Sequence, residues 1–205
     1  MCDSNFENIC IGSNKDICSC VYISNYSLSD ICLVIVKVIE KIINYNSNNI
    51  NTVFKPSIFD ANLSSNYNLS KYINRIVNPC KLQNSTLIHA LILLDRFCNV
   101  SGISLSNANC FKLIFIALVQ AIKINEDKLL RDKDFAIVGG IELKEFVNLE
   151  YLFIKKLDYN IFTNDKSYCL YSEPLLNNLK ECQEKTFRKN IINNNSKNDK
   201  TIFSN

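Results

Sequence analysis

From Ile31 onward the apolar positions Ile31, Ile35, Val38, Ile39 and Ile42 recur every three or four residues, which lines them up on one face of a helix. Lys37, Glu40 and Lys41 fall on the outward face. Just ahead, Ser27-Leu28-Ser29-Asp30 has the spacing of a capping box, so the helix starts there. In NYNSNNINTVFKPSIFDANLSSNYN, residues 44–68, Asn, Ser and Pro56 break every period and predict a long crossing loop. A short helix over about Ser70 to Asn78 follows, carrying Tyr72, Ile73, Ile76 and Val77, with Pro79 placed to stop it. Two strongly apolar helices come next. One runs from a cap at Asn84 or Ser85 to about Val100, with Gly102 free to take the left-handed conformation that ends helices. The other runs from Ser106 to about Asn125. Both are apolar on most faces, so at least one lies at the centre of a bundle.

Asp132 to Val138 reads as one or two turns, after which Gly139 supplies the positive φ of a C-terminal cap. Gly140 lets the chain reverse closely into a helix from Glu142 to Leu157. Thr163 caps a last helix to about Tyr171, limited by Pro174. No alternating strand pattern persists anywhere, so the fold class is all-α. The ends differ from the middle. Residues 1–25 form a Cys- and Asn-rich arm without periodicity, and residues 174–205 a polar tail, both predicted to be largely disordered around one folded domain over 26–173.

Composition narrows the function. A chain of 205 residues can bury a real core as one domain without disulfides or metal. A net charge of +3, spread along the chain, implies no nucleic-acid partner. The most apolar runs, Leu87 to Leu94 and Leu113 to Ile122, fall short of the ~20 residues a membrane span needs. Ten cysteines without a leader pattern point to a reducing, intracellular setting, cytoplasmic or nuclear. Cys18-Ser19-Cys20 lacks the C-x-x-C spacing of a zinc site, so no metal or other cofactor is expected. The Asn-X-Ser/Thr triplets arise by chance from roughly 30 asparagines. His89 reads as a packed or surface histidine, Cys98, Cys110 and Cys169 as small core hydrophobes, and Glu126-Asp127 as a solvated loop. A Gly-rich phosphate loop, an Asp-Phe-Gly and a catalytic-loop motif are all missing. No catalytic residue and no small-molecule substrate are therefore assigned.

In order and spacing, ALILLDRF, ALVQAIKINED and FAIVGGIELKEFVNLEYLFIKKLDYNI resemble the cyclin box, and specifically the P-type (U-type) cyclins of fungal phosphate signalling and their protist relatives. The resemblance covers about Ser27 to Tyr171, and Val-Gly-Gly-Ile ahead of a helix holding Leu149-Glu150 is its most particular word. It implies a five-helix box with an added N-terminal helix and no catalytic activity. Its partner would be a cyclin-dependent protein kinase, which it binds and activates by holding helix αC in place. The family's gripping lysine, at the end of the third box helix, and its glutamate, in the fourth, match Lys123 and Glu150. Ile154 lies one helical turn beyond Glu150, Ile124, Tyr159 and Ile161 match the family's apolar contacts, and the Gly139-Gly140 turn would set the angle of the helix carrying Glu150. Arg75 and Asp95 match a pair that bridges the first two box helices.

There are departures. The Trp-containing patch that docks substrate peptides in cell-cycle cyclins is replaced by KYINRIV, Lys112 stands where many cyclins bury a leucine, and Glu142 replaces a capping serine. The residues after Tyr171 are too few and too polar for a second box. Read without the resemblance, Lys123 is a solvated lysine favouring a helix dipole, and Glu150 a surface partner of Lys155 or Lys156. Two other functions remain open: an adaptor that binds a kinase or another protein without activating it, and a box that contacts DNA, against which the interspersed acids argue.

Overall fold

The chain is seen in a computed structural model that describes residues 23–49, 56–61 and 68–202, with side-chain surroundings given as far as Cys182 and at Glu184. The expected disordered arm, Cys18 and Cys20 included, lies outside the described residues up to position 22. Helices α1 (Leu28–Asn48), α2 (Leu69–Cys80), α3 (Asn84–Ser101), α4 (Cys110–Asn125), α5 (Asp132–Gly139), α6 (Leu143–Lys156) and α7 (Asp165–Ile202) follow one another, with no strand among the described residues. The all-α reading holds.

Local chemistry starts α1 as its spacing predicts. Ser27 Oγ accepts from the Asp30 N–H at 3.1 Å and donates to Asp30 Oδ2 at 2.7 Å. Two expected boundaries shift slightly. Pro79 sits inside the last turn of α2, which ends at left-handed Lys81, and α4 begins only after a turn in which Asn109 Oδ1 accepts from the Ser106 N–H at 2.9 Å. Neither expected cap of α3 is used. Asn84 instead ties down the entering chain through the Ile23 and Tyr26 carbonyls, both at 3.0 Å. The cap comes from afar: the Glu126 carboxylate accepts from the Gln83 N–H at 2.8 Å and from Thr86 Oγ1 at 2.5 Å. A carboxylate suits that end, where unsatisfied N–H groups and the helix dipole are positive. Glu126 is therefore no solvated loop residue. Gly102, at φ +69°, ends α3 as expected.

Helices α3 and α4 pack along each other at the centre, with Thr86 to Asp95 and Leu113 to Ile122 buried without interruption. Helices α1 and α7 cover one side, and α2, α5 and α6 the other. An aromatic column cements α6 onto this pair. Phe153 stacks on Phe97 at 4.5 Å between centroids, Phe59 meets Phe97 edge-on at 5.1 Å, and Phe146 packs on Phe115 at 5.7 Å. Lys112 has a physical reason for replacing leucine. Its ammonium donates to the Asp60 carbonyl at 2.6 Å and pairs with Glu145 at 2.9 Å, pinning the short segment 56–61 against α4 and α6.

The two glycines exchange the roles expected of them. Gly140 has the positive φ, +73°, and ends α5 with its N–H on the Ile137 carbonyl and the Ile141 N–H on that of Ala136. Gly139 is the last helical residue, and it is glycine for space: a Cβ there would sit 2.4 Å from Phe115 Cζ.

The Arg75–Asp95 bridge is not made. Arg75 donates to the Gly139 carbonyl at 3.3 Å and lies over the Tyr72 ring, whose hydroxyl donates to the same carbonyl at 3.2 Å. That carbonyl belongs to the negative end of α5, which attracts a guanidinium. Buried Asp95 is served from elsewhere, by the Tyr171 hydroxyl and by Asn99 Nδ2 at 3.2 Å.

The last helix also departs from expectation. Asn164, rather than Thr163, caps it, through the Ser167 N–H at 2.8 Å, while buried Thr163 Oγ1 has no partner among the described residues. It continues past Pro174 and buries Leu175, Leu176 and Leu179, so the first turns of the expected tail belong to the core. Packing outweighs the backbone N–H bond that proline cannot make.

Gly139→Ala should destabilise the chain by about 2 kcal/mol, because the methyl must displace a fully buried ring. Gly140→Ala should cost about 1 kcal/mol, chiefly from the left-handed backbone, since the Cβ would meet only the end of the flexible Arg75 side chain, 3.2 Å away. Urea unfolding of the two variants ranks them; equal losses would contradict the exchanged roles.

Candidate functional site

Polar residues that interrupt apolar helices build the site. Gln120 and Lys123 lie one turn apart at the end of α4, and Glu150 lies on α6 beside Leu149, which with Phe146 and Phe153 faces the core. Lys123 Nζ is 2.6 Å from Glu150 Oε1 and 2.8 Å from Asp132 Oδ1 in the first turn of α5. Gln120 Nε2 donates to the same Glu150 oxygen at 2.7 Å. The ammonium also lies 5.4 Å from the centre of the Phe146 ring, within cation–π reach. The Lys123 and Glu150 side chains keep 26% and 14% of their surface exposed, so the pair is half-sunk at the surface.

Burial alone would lower the Lys123 pKa, but the bonds to Asp132 and Glu150 outweigh it and hold the group above its ordinary 10.5. The stability this contributes is in force below 10.5 and disappears as pH rises through the raised value. Glu150 does not pair with Lys155 or Lys156; Lys155 lies over the Tyr151 ring.

Two of the other expected contact residues flank this pair in sequence. Ile124 follows Lys123 and Ile154 lies one turn beyond Glu150, both half-buried. Tyr159 is exposed on the segment leaving α6, and Ile161 on the same segment packs against the core. The Gly139-Gly140 turn joins α5 to α6 and so sets where Glu150 stands.

Sequence reasoning missed Asp132 and Gln120 in this network, and Arg96, His89 and Asn125 beside it. Arg96 Nη1 donates to the carbonyls of Asn160 at 2.6 Å and Phe162 at 3.1 Å. His89 Nε2 lies 2.8 Å from the Ile161 carbonyl and its Nδ1 lies 2.8 Å from Asn125 Nδ2. This is the neutral ring, with Nδ1 accepting and Nε2 donating. One signal for Gln120 was available: an amide in an otherwise apolar run, on the face that carries Lys123.

Among the described residues no group of three His, Cys, Asp or Glu side chains could hold a metal ion. Burial pushes the thiols of Cys98 and Cys110 up to about 12 and that of Cys32 to about 11, which keeps them protonated. No helix among the described residues is long and apolar enough to cross a membrane.

The family model described as Cyclin matches residues 23–161, which takes in α1 to α6 and the Lys123–Glu150 pair. The chain belongs to the cyclin family. A protein of Arabidopsis thaliana named cyclin-U2-1 is 30% identical over 123 residues, 58% of this chain and 55% of its own length. Cyclin-P2-1 of Oryza sativa subsp. japonica is 27% identical over 118 residues, 56% of this chain and 54% of its own. The PHO85 cyclin-like protein psl1 of Schizosaccharomyces pombe is 27% identical over 121 residues, 58% of this chain and 50% of its own. The U- and P-type names bear out the expected branch, and the chain spans about half the length of these relatives.

The neutral His89 gives a pH prediction. Burial, joined by Arg96, lowers its pKa below 6.5 and outweighs the bonds to Ile161 and Asn125, so the unfolded chain takes up the proton first. This contribution to stability should be complete above 6.5 and decline as pH falls from there through the lowered value. Urea unfolding between about pH 8 and about pH 5 should show a decline that His89→Gln reduces.

Proposed function

We propose that this chain is a regulatory subunit that binds a cyclin-dependent Ser/Thr kinase and activates it by holding helix αC in its working position. The carrying observation is the 2.6 Å Lys123–Glu150 pair, half-sunk between α4 and α6. A kinase is active only when a strand lysine meets the αC glutamate, so a regulator must hold that helix inward. Such a clamp needs donors and acceptors on one rigid platform with apolar ground beside them. Here Glu150 Oε1 is taken by Lys123 and Gln120, while Oε2 accepts no hydrogen bond among the described residues and remains for a partner N–H. Two of the three ammonium hydrogens of Lys123 are engaged, which leaves one for a partner carbonyl. Ile124 and Ile154 supply apolar ground, with Tyr159 and Ile161 beyond them. Because the polar groups are already ordered, docking would cost little further side-chain entropy.

The family membership and the P- and U-type relatives support a regulatory role without catalysis. The experiment mixes the purified chain with a panel of purified cyclin-dependent kinase subunits and measures binding and phosphorylation of a Ser/Thr-Pro peptide. Wild type should bind and activate at least one kinase. Lys123→Ala and Glu150→Ala should each lose about 2–5 kcal/mol of binding while circular dichroism stays helical. A complex that forms without activation would select an adaptor, and full affinity in both variants would remove this surface from the interface.

A further inference from the structure

The chain leaving α6 adopts a conformation it would not keep unaided. Asp158 and Tyr159 are consecutive non-glycine residues at φ +50° and +57°, a region side chains disfavour, and they persist only if their surroundings hold them. The turn itself is closed by backbone bonds to the end of α6, the Tyr159 N–H on the Ile154 carbonyl and the Asn160 N–H on that of Leu157. Beyond it α3 grips three successive carbonyls: Arg96 takes those of Asn160 and Phe162, and His89 takes that of Ile161. The same imidazole accepts from Asn125, two residues beyond Lys123 and next to Ile124. His89 therefore ties the end of α4 to the segment after α6. On that segment two aromatic side chains face solvent, Tyr159 at 64% and Phe162 at 73% exposure. Large apolar groups on a pinned backbone are suited to being contacts, because docking them costs little ordering.

We propose that Arg96 and His89 are positioning residues for the kinase contact: they lock residues 160–162 to α3, in fixed relation to Lys123 and Ile124, so that Tyr159 and Phe162 meet the partner together. This rests on the kinase-binding reading and adds Phe162 to the contact surface. Neither Arg96 nor His89 needs to touch the partner. Arg96, partly exposed, spends its guanidinium on two backbone carbonyls and an Asn160 side chain 3.4 Å away, so that among the described residues its hydrogen bonding serves this segment alone.

The first arm needs no partner. Backbone amide exchange over residues 159–163 of the full chain should speed up at least about tenfold in Arg96→Met and His89→Leu, with α4 and α6 still protected. Arg96→Lys and His89→Gln keep a donor for the same carbonyls and should restore most of the protection. Unchanged exchange, or donor-retaining variants as fast as the deletions, would overturn the clamp. The second arm measures affinity for whichever purified kinase subunit the wild type binds. Arg96→Met, His89→Leu and the surface change Phe162→Ala should each weaken it about tenfold. If Glu150→Ala weakens binding and these do not, the positioning role is wrong while the kinase-binding reading survives. If Glu150→Ala binds as tightly as wild type, that reading itself has failed, and the exchange arm still decides the clamp.

Discussion

A half-sunk ammonium has to be neutralised, and at Lys123 that requirement joins three helices. Glu150 reaches it from α6 and Asp132 from the start of α5, while Gln120 one turn back steadies the Glu150 oxygen that both share. Removing a charge from water is costly unless the partner is close and itself hydrogen-bonded. Each helix therefore has only a narrow range of positions that satisfies the network. The face shared by α4 and α6 is rigid for the same reason that it is polar. A surface that is to press on another protein's mobile helix gains from that rigidity, since a soft platform would yield before the helix did.

Much of the fold was legible because it depended on short-range chemistry. The period of Ile31 to Ile42, the Ser27 cap, the left-handed Gly102 and the all-round apolarity of α3 and α4 are properties of adjacent or near-adjacent residues. What went astray depended on distant partners. Asn84 looks like a cap until the chain near Ile23 claims it, and Glu126 looks solvated until it reaches the N-terminus of α3. Pro174 looks like a stop until Leu175, Leu176 and Leu179 are seen to be buried. Proline and polarity are weak evidence where an apolar i, i+1, i+4 set follows directly.

The site divides in the same way. Lys123 and Glu150 were singled out through family resemblance, and the fold brings them to 2.6 Å of each other. Asp132 was invisible because nothing in the local pattern says that a loop after α4 will return its acid to that helix's last turn. Arg96 and His89 were hidden for a second reason. Both bond to backbone carbonyls, and a carbonyl leaves no trace in the side-chain sequence. The DRF word drew attention to Asp95, yet it is the arginine beside it that holds the segment after α6.

The rewired Arg75 shows how a departure in one place can be absorbed in another. With Asp95 served by Tyr171 of α7, the guanidinium is free to join Tyr72 on the Gly139 carbonyl. Two donors on one carbonyl fix the end of α5 to α2, and they do so at the residue where the Phe115 ring leaves no room for a Cβ. The next residue, Gly140, turns the chain into α6. The direction of α6, and with it the place of Glu150 relative to Lys123, is thus set from two sides: by steric contact with α4 and by hydrogen bonds to α2.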